Sequence, residues 1–319
     1  MPASNARTST EPSTADREIV LTRLVDAPRE LVFEAWTKPE HVAQWWGPNG
    51  FSTTISEMDV RPGGVWRHVM HGPGGRDYVN NIVFLEVVRP ERIVYKHQPE
   101  KGTEPVNHET TVTFADRGGK TEVTLRMLFA STAARKHIVK TYRAIEGGTQ
   151  TLGRLAGYVA KTSGAKAPVE REIVIERVFD APRELVWRAW TDPKVLAQWW
   201  GPRGFTNPVC EVDLRVGGAF RIHMRAPDGA VYPMRGVFLE IDKPEELIFT
   251  NIAVDKDDNP ILNGLTIVTF AEEGGKTKLT LKTGATAVVD YAAEYLKGME
   301  AGWTQSFEKL AELLAKSGD

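Results

Sequence analysis

The chain repeats itself at long range, and that repeat constrains everything else it can fold into. Arg17-Glu18-Ile19-Val20 returns as Arg171-Glu172-Ile173-Val174. Asp26-Ala27-Pro28-Arg29-Glu30-Leu31-Val32 returns as Asp180-Ala181-Pro182-Arg183-Glu184-Leu185-Val186. Trp45-Trp46-Gly47-Pro48 returns as Trp199-Trp200-Gly201-Pro202 at the same offset. Val112-Thr113-Phe114-Ala115 and Gly118-Gly119-Lys120-Thr121 return slightly later, so the second copy has gained residues in a loop. A period of roughly 150 residues is a whole domain, not a solenoid unit. The 319 residues therefore divide into a tail (1–16), a first domain (17–160), a linker (161–169) and a second domain (170–319). The tail is rich in Ser, Thr, Ala and Pro and reads as disordered. The linker carries Ser163, Gly164, Ala165 and Pro168.

Hydrophobic residues at 41% and charged residues at 26% fit a globular chain, and the net charge of -2 argues against a general nucleic-acid or anionic-membrane binder. No apolar run approaches the roughly 20 residues of a membrane helix. The single cysteine, Cys210, excludes an intrachain disulfide and a thiolate-rich zinc site, which suits a cytoplasmic location. The first copy has a positive excess and the second a negative one, which favours packing of one copy on the other.

Each copy reads as α+β, and each reading checks the other. A strand opens it, Glu18 to Leu24 or Glu172 to Phe179. A helix follows, with Pro28 or Pro182 fitting its first turn and Asp26 or Asp180 placed as a cap. Pro39 starts a second short helix that ends in the tryptophan pair. About six strands follow, separated by turn signals such as Pro62-Gly63-Gly64 and Arg117-Gly118-Gly119. One long helix closes each copy, over roughly 133–159 and 287–315. In the second, Tyr291, Tyr295, Met299, Trp303, Phe307, Leu310 and Leu314 make one apolar stripe, which predicts burial against an antiparallel sheet.

The Trp-Trp-Gly-Pro opening, Glu57-x-Asp59-x-Arg61-x-Gly63-Gly64, Phe84-Leu85-Glu86 and Pro90-Glu91-Arg92 together resemble the Hsp90-ATPase-activator-homologue family. That family lies within the START-like, Bet v 1-like helix-grip superfamily. The second copy matches through Glu211, Asp213, Arg215, Gly217, Gly218, Phe238, Leu239, Glu240, Pro244 and Glu245. The resemblance implies two tandem helix-grip domains, each a curved sheet around a C-terminal helix with a cavity between. It departs at Gly147-Gly148-Thr149-Gln150, where the second copy keeps Gly302-Trp303-Thr304-Gln305. Losing that indole should enlarge or reshape the first cavity.

Candidate chemistry concentrates in the first copy. His41, His68, His71, His97, His108 and His137 lie there, and only His223 lies in the second. Strand alternation places Phe220, Ile222 and Met224 inward, hence also Trp66, His68 and Met70. His68 replaces an isoleucine, His97 stands where copy two has Asn251, and His108 where it has Gly264. The expected ligand pocket comprises Trp66, His68, Met70, His97, His108 and Tyr142 in copy one. In copy two it comprises Phe220, Ile222, Met224, Tyr295, Met299 and Trp303. The alternation of Glu57, Asp59 and Arg61 reads either as paired carboxylates for acid/base work or as an ion-paired outer face, and the outer face is favoured. The tryptophan pair reads as a plug rather than a lid. No catalytic residue, metal ligand or cofactor is assigned.

Three functions stand. The first is a non-catalytic carrier or sensor of a small apolar or aromatic molecule. The resemblance implies a second, an Hsp90-type co-chaperone. It is weakened because the eukaryotic activator is similar only in its C-terminal domain. The third is an enzyme like the polyketide cyclases and dehydratases of the superfamily, with His68 or a pocket carboxylate as acid/base.

Overall fold

The computed structural model describes residues 14–98 and 108–316. Most of the expected tail, residues 1–13, lies outside the described residues. Residues 14–16, expected within it, instead enter a short 3-10 turn at Ala15–Arg17, where Asp16 accepts a hydrogen bond from Thr132.

Copy one runs β1 (Glu18–Val25), α1 (Arg29–Thr37), α2 (Pro39–Trp45), β2 (Ser52–Met58), β3 (Val65–His71), β4 (Asp77–Val88), β5 (Arg92–His97), β6 (His108–Asp116), β7 (Thr121–Phe129), α3 (Thr132–Tyr142) and α4 (Ala144–Ser163). Copy two repeats this as β8 (Glu170–Phe179), α5 (Arg183–Thr191), α6 (Pro193–Trp199) and β9 to β14. Those six strands are Thr206–Val212, Ala219–Arg225, Val231–Asp242, Glu246–Val254, Pro260–Glu273 and Lys276–Ala287. A 3-10 turn (Asp290–Ala292), α7 (Ala293–Lys297) and α8 (Met299–Ala315) close it. Each copy forms one seven-stranded sheet, ordered β1-β7-β6-β5-β4-β3-β2 and β8-β14-β13-β12-β11-β10-β9, with antiparallel pairings throughout.

The closing helices differ from the single long helix the periodicity predicts. In copy one the backbone turns left-handed at Arg143, which splits α3 from α4. In copy two Gly298 separates α7 from α8. Tyr291 and Tyr295 therefore leave the apolar stripe and are 57% and 45% exposed. Phe307, Leu310 and Leu314 stay in it and are buried. Full burial of a side chain such as Phe307 contributes about 1.5–3 kcal/mol. The proline and aspartate positions also shift. Pro28 precedes the first residue of α1, and Asp26 caps nothing but pairs with Lys120 at 3.5 Å. Asp180 and Lys276 repeat that pair in copy two.

The carboxylate strand resolves as an ion-paired surface. Glu57 pairs with Arg67, Asp59 with Arg61 at 2.7 Å, and Asp213 with Arg215 at 2.8 Å. The following glycines set a tight turn. Gly63 N–H donates to Phe84 O (2.8 Å), and Gly64 O accepts from Phe84 N–H (3.0 Å). A Cβ at Gly64 would overlap the Asp59 carbonyl, and one at Gly218 the Asp213 carbonyl. Either Gly64→Ala or Gly218→Ala should cost about 1–3 kcal/mol, as forced overpacking does. Chemical denaturation measures it, and an unchanged midpoint would contradict the close approach.

The copies pack on each other, as their opposite charges predict. Ile248 and Ile267 face away from Phe249 and Val268, on the outer side of the second sheet. Together with Leu239 they are buried within the core cluster of copy one. At the equivalent of Leu239, Leu85 is 46% exposed. Arg135 of α3 donates from Nε to Glu18 O (2.9 Å), and its guanidinium meets the Glu240 carboxylate and the Leu239 carbonyl. Lys140 pairs with Asp242 (2.5 Å), Arg143 with Glu246 (2.6 Å) and Lys282 with Glu146 (2.5 Å). In copy one the residues equivalent to Glu240 and Glu246 are Glu86 and Arg92, which pair with each other. Copy two has acids at both positions, and copy one supplies the cations.

Candidate functional site

The interior of each copy lies between its sheet and its helices. The first tryptophan of each pair is a plug. Trp45 and Trp199 are fully buried, and each donates its indole N–H to a carbonyl of the preceding helix, Ala35 O (3.0 Å) and Ala189 O (2.8 Å). The second tryptophan does something else. In copy one Trp46 packs edge-on to Trp66 (4.7 Å between centroids) and donates its N–H to His68 Nε2 at 3.1 Å.

Copy two holds a cavity of about 10 Å3, lined by Trp190, Trp200, Phe220, Ile222, Phe238 and Phe249 among others. That is about the room of one water molecule. Of the residues expected there, Phe220 and Ile222 line the cavity. Trp303 instead stacks on Trp190 and meets Trp200 edge-on. Met224 and Met299 are half-buried, and Tyr295 faces solvent. In copy one Gly148 stands where copy two has Trp303. A Cβ at Gly148 would overlap Leu21 Cδ1, so the leucine takes that place.

Copy one gathers its histidines. His68, on β3, is 2% exposed and stacks on Trp66 at 4.4 Å. His97 at the end of β5 and His108 at the start of β6 bring their rings to 4.4 Å, and His108 packs on Phe129 at 5.0 Å. Met70 and Tyr142 are half-buried, and Tyr142 packs against the core. The Nδ1 atoms of His68, His97 and His108 are all buried without a hydrogen-bond partner. Residues 99–107, between His97 and His108, lie outside the described residues.

Burial decides their charge. Desolvation lowers His68 to about 3, with His97 adding a smaller repulsion, and lowers His97 to about 4. His108 is pushed well below its ordinary value, first by desolvation and then by His97. All three rings are neutral at pH 7. Trp46 Nε1 can only donate, so His68 Nε2 accepts and carries no proton. The proton of the neutral ring therefore sits on Nδ1, an N–H donor held in the interior with nothing to pair. That tautomer offers a ligand a hydrogen bond and withholds from a metal the Nδ1 lone pair. Among the described residues no cluster of three His, Cys, Asp or Glu is placed to hold a metal ion.

The sequence matches one family model twice. It is "Activator of Hsp90 ATPase homolog 1-like protein", over residues 26–160 and 180–315. Among solved structures, a protein of Chromobacterium violaceum is 32% identical, covering 45% of this chain and 96% of that one, with a TM-score of 0.38. A Silicibacter pomeroyi protein described as AHSA1 is 28% identical, covering 46% and 99%, with a TM-score of 0.40. A Nitrosomonas europaea protein is 24% identical, covering 48% and 99%, with a TM-score of 0.42. No curated protein matches the sequence. Among the described residues no helix is long and apolar enough to cross a membrane. With both copies matched over nearly their full length, the chain belongs to the activator of Hsp90 ATPase homolog 1-like family and carries its domain twice in tandem.

Proposed function

We propose that the chain is a cytoplasmic binding protein for one small, flat, mainly apolar molecule, taken up at the histidine end of copy one. The observation that carries this is the set of three buried, unpartnered imidazole nitrogens among aromatic rings. Buried polar atoms without partners are rare and costly, and a bound acceptor would satisfy the His68 Nδ1–H. Copy two, with Ile222, Asn251 and Gly264 at these positions, supports the first copy rather than binding. Binding is favoured over turnover because a useful general base titrates near working pH, whereas His68 is held near 3. A reducing compartment fits Cys210, whose half-buried thiol is pushed up to about 11 by desolvation and by Glu211.

The test is native mass spectrometry of gently purified protein, with identification of any molecule extracted from it. One acceptor-bearing aromatic molecule per chain is expected. His68→Phe keeps the shape and deletes the donor, so affinity for the extracted molecule should fall about tenfold, the worth of one hydrogen bond. Unchanged affinity would remove His68 from the site. The family description supports a second reading, stimulation of an Hsp90-type chaperone. ATP turnover by such a chaperone, measured with and without the chain, decides that reading directly.

A further inference from the structure

We infer that the cleft between the two copies is a second binding site, for a small zwitterion with an apolar side group. The cleft has a volume of about 300 Å3 and is walled by copy one, the connecting segment and copy two. That is the size at which small-molecule pockets begin, and domain junctions are a usual place for them.

Its lining is divided by chemistry. Leu24, Pro168, Val169 and Val288 give it an apolar floor from all three walls. Acids and bases stand together at its rim, Asp26 with Lys120 at 3.5 Å and Lys166 with Asp290 at 3.1 Å. Each pair is a single contact between exposed side chains, so a ligand bearing both charges can replace it at little cost. Arg23, the most buried cation of the cleft, is already engaged by Thr286 (3.0 Å) and Glu170 (3.1 Å). The group left over is Asn263. It lies on the outer face of β13, opposite Thr286 in the sheet, and its Oδ1 is buried without a partner. Asn263 lines the cleft, and its unpaired carbonyl oxygen lies just beneath the surface, where a side-chain turn would present it to a donor such as the ammonium of a zwitterion. The carboxylate then meets the rim lysines, and the side group covers the floor. Nothing in this arrangement involves the histidines of copy one, so the two sites stand or fall separately.

The probe is L-leucine, titrated calorimetrically into the full chain beside N-acetyl-L-leucine, which lacks the ammonium, and L-leucinamide, which lacks the carboxylate. Saturable binding of leucine is expected, weakened about tenfold or more by either cap. Asn263→Leu should weaken it similarly. Lys166→Ala, a change in an exposed segment that leaves folding intact, should weaken it less, and His68→Phe should leave it unchanged. Absence of saturable binding at millimolar leucine would overturn the inference. So would equal binding of the capped forms, or a loss caused by His68→Phe.

Discussion

Replacing Arg135 with alanine should lower stability by about 3–5 kcal/mol, the cost of breaking a buried ion pair from one side. The Arg135 and Glu240 side chains are 1% and 2% exposed, so water cannot take over the abandoned carboxylate. The same change strips the Leu239 and Glu18 carbonyls of their donor. A buried pair is not stabilising against an apolar replacement of similar volume, however. Arg135→Met combined with Glu240→Leu should therefore recover most of the loss. Chemical denaturation of the three proteins is the measurement. A double variant no better than the single one would mean that the arginine acts through the carbonyls and not through Glu240.

Acid should weaken copy one before copy two. An unfolded imidazole takes its proton near pH 6.5. Folded His68 does so only near 3 and His97 near 4, because burial withholds water from the charged ring. Between those values the unfolded state binds more protons. The histidine contribution is then complete above pH 6.5 and is lost as the pH falls towards 4. Each ring removes about 1.4 kcal/mol per pH unit in that window, and His108 acts in the same direction. The matching strands of copy two carry Ile222 and Asn251 instead. Hydrogen exchange followed domain by domain from pH 7 to about 5 should show copy one opening first. The variant His68→Ile with His97→Asn should flatten the difference. Parallel loss in both proteins would mean that carboxylates, not histidines, set the acid limit.

Much of this architecture was legible because the chain states it twice. The two short helices, the run of strands and the inward direction of His68 all follow from turn residues and strand alternation, checked between copies. The broken closing helices were not legible. The break at Arg143 is a left-handed turn of an ordinary residue, and its side chain is held by Glu246 of the other copy, far away in sequence. Tyr295 keeps helical spacing with Trp303, yet the break at Gly298 turns it to solvent. The role of Trp46 was missed because a plug and a donor to His68 look alike in sequence. The interface did leave a signal. Copy two carries Leu265 and Ile267 where copy one has Glu109 and Thr111, and an acid, Glu246, where copy one has Arg92. Comparing outer faces as well as inner ones would have found it.

The way the copies meet also sets a limit on growth. Helices of copy one sit on the outer sheet face of copy two, so the contact joins two different surfaces. Contacts of that kind are not self-complementary, and identical units joined this way would form a ring or extend into a filament. The two copies have diverged at the surfaces such an array would reuse. The outer face of copy one pairs Glu86 with Arg92 and shows Glu109 and Thr111 where an incoming unit would need apolar side chains. Residues 288–298 of copy two, which follow its last strand as α3 follows β7, contain no arginine to take the place of Arg135. Each of these two surfaces thus lacks the residues that join the copies to one another across the internal contact.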